Sequence, residues 1–276
     1  MTIRAGVVGH PVSHSLSPLI HTAWIKAAGL NAEYGLFDVP PDDFAAFIAA
    51  QRGGVLLGVN VTVPHKEAAL ACATHVRLAA RAAGAANLLL FEADGTIIAD
   101  NTDGLGLLGA LHEQAVFSVK GKTATVLGAG GAARGAVAAL TDAGAARIWV
   151  VNRTLERARA LEGLGPVKAT GWSKSTDAFL EADVVINATT LGLGGGPGPH
   201  APLGMTQPGC VVMDMVYRPL ETQLLAEARR LRRPAVDGLA MLIGQARPSF
   251  AALYGRDPDL MVDVRGLALK ALGEKG

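Results

Sequence analysis

A chain of 276 residues can hold two hydrophobic cores, at roughly 100–200 residues per domain. Half of it is hydrophobic and 18% is charged, which excludes a disordered chain, and a formal net charge of +1 excludes an overall field that would recruit nucleic acid or a membrane surface. Cys72 and Cys210, far apart and without metal-ligand spacing, exclude a disulfide framework and point to a reducing, cytoplasmic compartment with no bound metal.

Short β-branched runs alternate with helical patterns, which predicts parallel α/β architecture. The first half reads as a strand at Ile3–Val8, a helix near Leu19–Ala28, a strand at Glu33–Asp38, a helix from Pro41 to Gln51, a strand at Gly58–Val63 and a helix from Lys66 to Cys72. Asn87–Phe91 and Thr96–Asp100 read as a hairpin closed by Asp94-Gly95. In the second half the strands are Thr123–Leu127, Arg147–Val151, a weak one near Val167, Val184–Asn187, Cys210–Asp214 and Ala235–Asp237, followed by a long apolar helix over Gly238–Leu253. The opening apolar run breaks at Gly9-His10-Pro11, too short for a signal peptide. Gly194–Pro199 interrupts the charge-free stretch between Asp183 and Asp214, so no membrane helix of about 20 apolar residues is expected. The basic run Arg229, Arg230, Arg232 and Arg233 reads as a solvated helix end.

Thr123–Leu127 runs into Gly128-Ala129-Gly130-Gly131-Ala132-Ala133 and then an Ala-rich helical pattern that stops at Gly144. Strand, glycine turn and helix in this order form the context of a dinucleotide site. The glycines admit a pyrophosphate against the backbone, and the helix N-terminus supplies N–H groups. A NAD site carries an acidic residue at the end of the second strand, bonding the ribose 2′-OH. Here that strand ends in Asn152-Arg153-Thr154, with Arg157 a helical turn on. Arg153 offers a planar fork for a 2′-phosphate, and Thr154 can cap the next helix and donate to the same phosphate, which predicts NADP. More than a hundred residues precede this motif. The expected organisation is therefore an inserted cofactor domain, residues 103–237, within a domain built from residues 1–102 and 238–276, with a cleft between the two lobes.

Three polar segments interrupt the apolar background of the first half. Ser13–Ser17 carries alternating hydroxyls beyond a strand end, suited to a carboxylate or merely to capping a helix. Asn60–Lys66 ends a strand at a proline and begins a helix with a cation, unfavourable there unless an anion or a catalytic task compensates; a plain surface lysine is the alternative. In Asp100–Gly104, Asp103 or Asn101 can serve as an N-cap, or Asp103 can pair with Lys66 in handling a proton.

The segments SHSLSP, NVTVPHK, Asn87, NTDG, GAGGAAR, NRTLER, NATTLG, DMVYRPLET and DGLAMLIGQA, in this order across almost the whole chain, together resemble the shikimate dehydrogenase family. The resemblance implies NADPH-dependent, reversible reduction of 3-dehydroshikimate to shikimate in aromatic amino acid biosynthesis. It implies two lobes: an α/β substrate domain completed by C-terminal helices, and an inserted, doubly wound Rossmann-type NADP domain. By the same resemblance Ser15 and Ser17 bind the substrate carboxylate with Tyr217 nearby, and Asn60, Thr62, Lys66, Asn87, Asp103 and Gln245 bind the ring and its hydroxyls. Lys66 and Asp103 form the catalytic pair, Lys66 as general acid in reduction and Asp103 holding it. Gly128, Ala129, Gly130, Gly131 and Ala132 receive the pyrophosphate, Asn152, Arg153, Thr154 and Arg157 the 2′-phosphate, and Met215 and Gly238 lie beside the nicotinamide.

The chain departs from the family pattern at Leu88, where a threonine is usual, at His65 in place of an aromatic, at Gln223 in place of proline, and in the glycine-rich loop Gly192–Pro202. The loss of a hydroxyl at 88 leads us to expect altered polar contacts to substrate, and the loop altered geometry on the cofactor side. A quinate or shikimate dehydrogenase with relaxed substrate or cofactor choice is the nearest alternative. A catalytically silent NADP-binding regulator disagrees with the presence of Lys66, Asn87, Asp103 and Gln245. A methylene-folate-type dehydrogenase needs more aromatics than the 5% present. The expected partner is the small-molecule substrate alone, with the chain a monomer or homodimer.

Overall fold

Strand β1 (Ile3–Gly9) is buried from Ala5 onward and lies inside a six-stranded sheet; there both its faces are covered and its sequence is continuously apolar. The computed structural model that shows this describes residues 2–273. Helix α1 (Ser17–Ala27) starts with a proline in its first turn and buries Ile20, His21, Trp24 and Ile25. There follow β2 (Ala32–Asp38), α2 (Phe44–Ala49) behind a 3-10 turn at Pro41–Asp43, β3 (Gly58–Val61) and α3 (Lys66–Cys72). A two-residue strand β4 (His75–Val76) and helix α4 (Leu78–Ala83) precede the hairpin of β5 (Leu88–Phe91) and β6 (Ile97–Asp100). Asp94 accepts from the Thr96 amide at 2.8 Å and Gly95 takes a φ of 86°, so the turn is the one its sequence predicts.

The strand order is β2-β1-β3-β5-β6-β4. The β1–β2 and β1–β3 pairs are parallel, but the hairpin sets β5 antiparallel to both neighbours, so this sheet is mixed. β4 and α4 were not expected. They are too short and too poor in β-branched residues to carry a periodic signal. β3 ends at Val61, two positions short of the expected Val63: Thr62 still bonds Val8 through its amide, but its carbonyl accepts the His65 amide at 3.0 Å and opens the turn into α3.

From α5 (Asp103–Ala115) the chain enters repeated strand–helix units: β7 (Thr123–Leu127), α6 (Gly131–Asp142), β8 (Arg147–Asn152), α7 (Leu155–Arg159), β9 (Val167–Gly171), α8 (Thr176–Leu180), β10 (Val184–Asn187), β11 (Val211–Asp214), α9 (Gln223–Arg230) and β12 (Ala235–Val236). The second sheet runs β12-β11-β10-β7-β8-β9 with every pair parallel. This is the doubly wound order, with its winding reversed between β7 and β10. Side-chain alternation splits it into two cores. Val126, Val150, Ile186 and Met213 pack with α5 and α6, while Leu127, Val151, Val185 and Val212 pack with α8 and α9.

Helices α10 (Gly238–Tyr254) and α11 (Val264–Leu272) close the chain, α11 packing on α1. Two compact units result: residues up to Thr102 with those from Gln245 onward, and Asp103–Gly244. The second crossing therefore falls inside α10 and not at Asp237, as the sequence suggested. A continuous helix leaves no loop signal at such a boundary, and the first turn of α10 is tied to α5 by bonds between Gln114 and Asp237 at 2.9 Å.

Candidate active site

In the first unit the topology gathers the polar segments at one edge. β1 and β3 are parallel, so the residues following them, Ser15 and Ser17 after β1 and Thr62 and Lys66 after β3, emerge at the same carboxyl edge. β5 runs the opposite way and starts there: Asn87 accepts the Val61 amide at 2.8 Å and donates its own to Asp100 at 3.1 Å, which brings residues 100–102 alongside. Lys66 is half-buried at the first position of α3.

Side chains from five separate stretches meet in this edge. Asn87 Oδ1 accepts from the Thr102 backbone amide at 2.8 Å, and its Nδ2 donates to Thr102 Oγ1 at 2.9 Å and to Gln245 Oε1 at 3.2 Å. Asn60 Nδ2 donates to the Asn87 carbonyl at 3.2 Å and to Ser249 Oγ at 2.9 Å, while its Oδ1 accepts from Tyr34 Oη at 2.8 Å. Thr102 Oγ1 and Ser249 Oγ lie 3.1 Å apart. Asn60, expected to touch the substrate, is thus buried with both amide protons committed to the protein; it holds the site. Tyr34, Thr102 and Ser249 escaped the sequence reading. Ser249 lies four residues beyond Gln245, one helical turn along, and that spacing is the only signal the sequence carries for it.

Ser15 Oγ accepts from the Ser17 amide at 3.3 Å, tightening the entry to α1, and Ser17 is buried beneath it. Asn101 Nδ2 donates to Ala85 O at 2.9 Å, and α5 opens with Asp103. Leu88 is fully buried and pairs across the sheet from Asn60, so it can alter the substrate's polar contacts only through the packing beneath them. His65 is stacked on Phe44 at 4.4 Å and 13°, and its Nε2 donates to the Val39 carbonyl at 2.7 Å. On the buried face of α1, His21 is fully buried and stacked on Tyr34 at 4.1 Å with neither ring nitrogen bonded, and burial lowers its pKa to about 3.

In the second unit the glycine turn follows β7 as expected. Gly128 has a φ of 108°, and a Cβ there would stand 2.9 Å from Thr189 Cγ2 and 3.1 Å from the Ala188 carbonyl. At Gly130 and Gly131 a Cβ would meet nothing within 4 Å. Gly130 is the N-cap of α6 and no side chain caps the helix, so its first N–H groups face an open cradle, which fits a pyrophosphate. Beyond β8, Arg153, Thr154 and Arg157 are exposed, and neither arginine forms an ion pair among the described residues. Thr154 stands at the N-cap of α7 without bonding the helix through its side chain; Asn152 Nδ2 donates to the Thr154 carbonyl at 2.8 Å instead. Its hydroxyl is thereby left for the phosphate part of the expectation alone.

The segments NATTLG and DMVYRPLET meet in a buried polar cluster after β10 and β11. Asp214 accepts from Asn187 Nδ2 at 2.8 Å, the Val216 amide at 3.0 Å and Thr222 Oγ1 at 2.7 Å, and burial pushes its carboxyl above the ordinary range. Asn187 Oδ1 in turn accepts from the Thr189 amide and hydroxyl. Met215 and Tyr217 are carried on the segment this cluster locks. Gly238 packs against that segment so closely that a Cβ would lie 2.5 Å from the Met215 carbonyl. Gln223, at the first position of α9, accepts from the Gly198 amide at 3.0 Å, and the Gly194 amide bonds the Arg218 carbonyl at 2.8 Å, so the glycine-rich loop is tied at two points. Arg229 and Arg230 end α9 in ion pairs with Glu221 and Glu227 at a solvated helix end, whereas Arg233 is half-buried and donates to the Thr206 carbonyl at 2.7 Å.

Residues 7–89 match the family model described as the shikimate dehydrogenase substrate binding domain, and residues 110–192 match that of shikimate / quinate 5-dehydrogenase. The shikimate dehydrogenase (NADP(+)) of Caulobacter vibrioides is 54% identical over 275 residues, covering 99% of this chain and 96% of its own. The chain belongs to the shikimate dehydrogenase family. The family fold is equally clear: the Thermus thermophilus shikimate 5-dehydrogenase, solved with NADP(H) and shikimate, superposes with a TM-score of 0.88 at 35% identity, covering 98% of this chain and all of that one. A quinate dehydrogenase from Corynebacterium glutamicum in complex with NAD also reaches a TM-score of 0.88, at 28% identity, over 98% of this chain and 99% of that one.

Proposed function

We propose that the protein is an NADP-dependent shikimate dehydrogenase, reducing 3-dehydroshikimate reversibly to shikimate in aromatic amino acid biosynthesis. One observation carries the reading: the two family matches fall one in each structural unit, residues 7–89 in the first and 110–192 in the second. The first unit then binds substrate and the second binds cofactor.

NADPH, when bound, supplies a hydride. The chain's own residues do the rest. Gly128, Ala129, Gly130, Gly131 and Ala132 hold the pyrophosphate through backbone N–H groups, and Asn152, Arg153, Thr154 and Arg157 hold the 2′-phosphate. Met215 and Gly238 shape the nicotinamide side. Ser15, Ser17 and Tyr217 hold the substrate carboxylate; Thr62, Asn87 and Gln245 hold its ring hydroxyls, braced by Asn60. Lys66 gives a proton to the ketone oxygen in reduction and removes it in oxidation, and Asp103 accepts a hydrogen bond from the neighbouring hydroxyl. Asn152, a neutral residue where a NAD site carries a carboxylate, favours NADP, as do the exposed arginines beside it.

Cys72 and Cys210 are free thiols, in keeping with a cytoplasmic enzyme that meets a small molecule and neither nucleic acid nor membrane, as a monomer or homodimer. Among the described residues no helix is long and apolar enough to cross a membrane, and no cluster of metal-ligating side chains occurs. Steady-state oxidation of shikimate and of quinate, each with NADP and NAD, tests the assignment. Shikimate with NADP is expected to give the highest kcat/KM; a preference for quinate or for NAD would overturn the corresponding part.

A further inference from the structure

We propose that Asn187 and Asp214 are a pair of positioning residues for the hydride step, fixing Met215 relative to the turn at Gly128 so that the nicotinamide side is set while other residues hold the phosphates. This rests on the reaction assigned above.

β10 lies between β7 and β11, and the parallel register places Leu127, Asn187 and Asp214 in one row across the three strands. It is the last row before the chain leaves the sheet. Gly128, Ala188 and Met215 follow it, at the carboxyl edge where the winding reverses. Backbone bonds tie Ala188 to Leu127 at 3.0 Å and Met215 to Asn187 at 3.1 Å.

The Asn187 amide can form four hydrogen bonds and forms all four. The Thr189 backbone amide can only donate and the Leu191 carbonyl can only accept, each at 3.1 Å, so Oδ1 faces the first and Nδ2 the second. The Thr189 hydroxyl adds a bond to Oδ1 at 2.7 Å, and the remaining Nδ2 proton goes to Asp214 Oδ1 at 2.8 Å. Asp214 also receives the Val216 amide at 3.0 Å and the Thr222 hydroxyl at 2.7 Å. Thr222 Oγ1 accepts the Leu225 amide, which leaves its proton for Asp214. Three donors thus converge on position 214. A carboxylate accepts all three, whereas an asparagine would turn an N–H toward one of them.

Asn187 and Asp214 have no exposed surface, so neither reaches a ligand; they act through the chain they hold. On one side is the loop after β10, packed so tightly on the glycine turn that a Cβ at Gly128 would lie 2.9 Å from Thr189 Cγ2. On the other is Met215, followed by the Val216 amide that Asp214 binds and pressed from behind by Gly238. The span between the turn and Met215 is therefore set by the protein before a cofactor arrives. Loosening it misplaces the reacting end of the cofactor and costs rate more than affinity.

The test is Asp214→Asn, Asn187→Ala and the double variant in the full-length enzyme, with kcat, Tm and, independent of turnover, the Kd of NADPH by fluorescence titration. In each single variant kcat is expected to fall roughly ten- to a hundredfold while Kd for NADPH stays within about threefold of the parent. The double variant is expected to be no slower than the slower single, because the two residues act as one unit. A lowered Tm with unchanged kcat in both single variants would mean a role in stability alone and would overturn the inference. So would a loss of NADPH affinity in step with kcat, or losses that multiply in the double variant. Should Asn187→Ala fail to fold, Asp214→Asn, which keeps the shape of the side chain, decides through kcat and Kd. A parent that oxidises no shikimate overturns the assigned reaction and this inference with it, whereas an active parent whose variants keep its kcat defeats the inference alone.

Discussion

From the end of β7 into the first turn of α6 one uninterrupted run, Gly128–Ala133, makes the cradle of the second unit from backbone, and its glycines matter for the atoms they lack. The site of the first unit draws on Asn60, Asn87, Thr102, Gln245 and Ser249, spread across most of the chain and joined through side-chain amides and hydroxyls. The proposed pyrophosphate cradle is thus local and made of main chain, the proposed substrate site distributed and made of side chains. A diphosphate is the same in every dinucleotide enzyme and needs only N–H groups at a helix end. A ring bearing several hydroxyls has to be told from its relatives, which requires donors and acceptors of fixed polarity.

Four outcomes would break or sharpen this contrast. Lys66→Ala, a single side-chain loss in the distributed site, is expected to lower kcat by roughly 10²–10⁴-fold with KM little changed; near-full kcat would remove Lys66 from the chemistry. Acid should unsettle the first unit through His21. An unfolded chain protonates this histidine near pH 6.5, while in the fold it stays neutral to about 3, so its contribution is intact above pH 6.5 and declines as pH falls through that window. About 1.4 kcal/mol is lost per pH unit there. Urea midpoints at pH 7.5 and 5.0 should separate more for the parent than for His21→Phe, and equal separations would exclude His21 as the source. Arg153→Ala is expected to raise KM for NADP roughly tenfold while leaving NAD turnover alone; a matching rise for both cofactors would mean that the arginine does not read the 2′-phosphate. Smallest is Gly130→Ala. Its Cβ meets nothing in the protein, so Tm should hold while KM for NADP climbs a few-fold, and an unchanged KM would mean that the cradle is not where the cofactor lies.

The same contrast decides what could be read from sequence. The strands of the second unit and its glycine turn came out nearly residue for residue, because buried parallel strands are continuous apolar runs and each βα turn follows its strand directly. The first unit was harder. Asn60 reads as a ligand contact until Tyr34 and Ser249, 26 and 189 residues away, are seen to occupy its amide. Thr154 sits at a helix start and looks like a cap, but a cap depends on rotamer as well as position, and the helix takes no bond from its side chain. The crossing between units inside α10 left no trace, since helical periodicity does not change where a unit ends.

Gln223 shows how one position can serve two opposed ends. A proline there would arrive already shaped for the first turn of α9 and lose no entropy on folding. It would also leave the Gly198 amide with nothing to hold, in a stretch whose glycines have the most backbone freedom to surrender. This chain has settled the trade on the side of the loop. It accepts a costlier helix start and obtains a side-chain tie at Gly198 beside the backbone tie between Gly194 and Arg218.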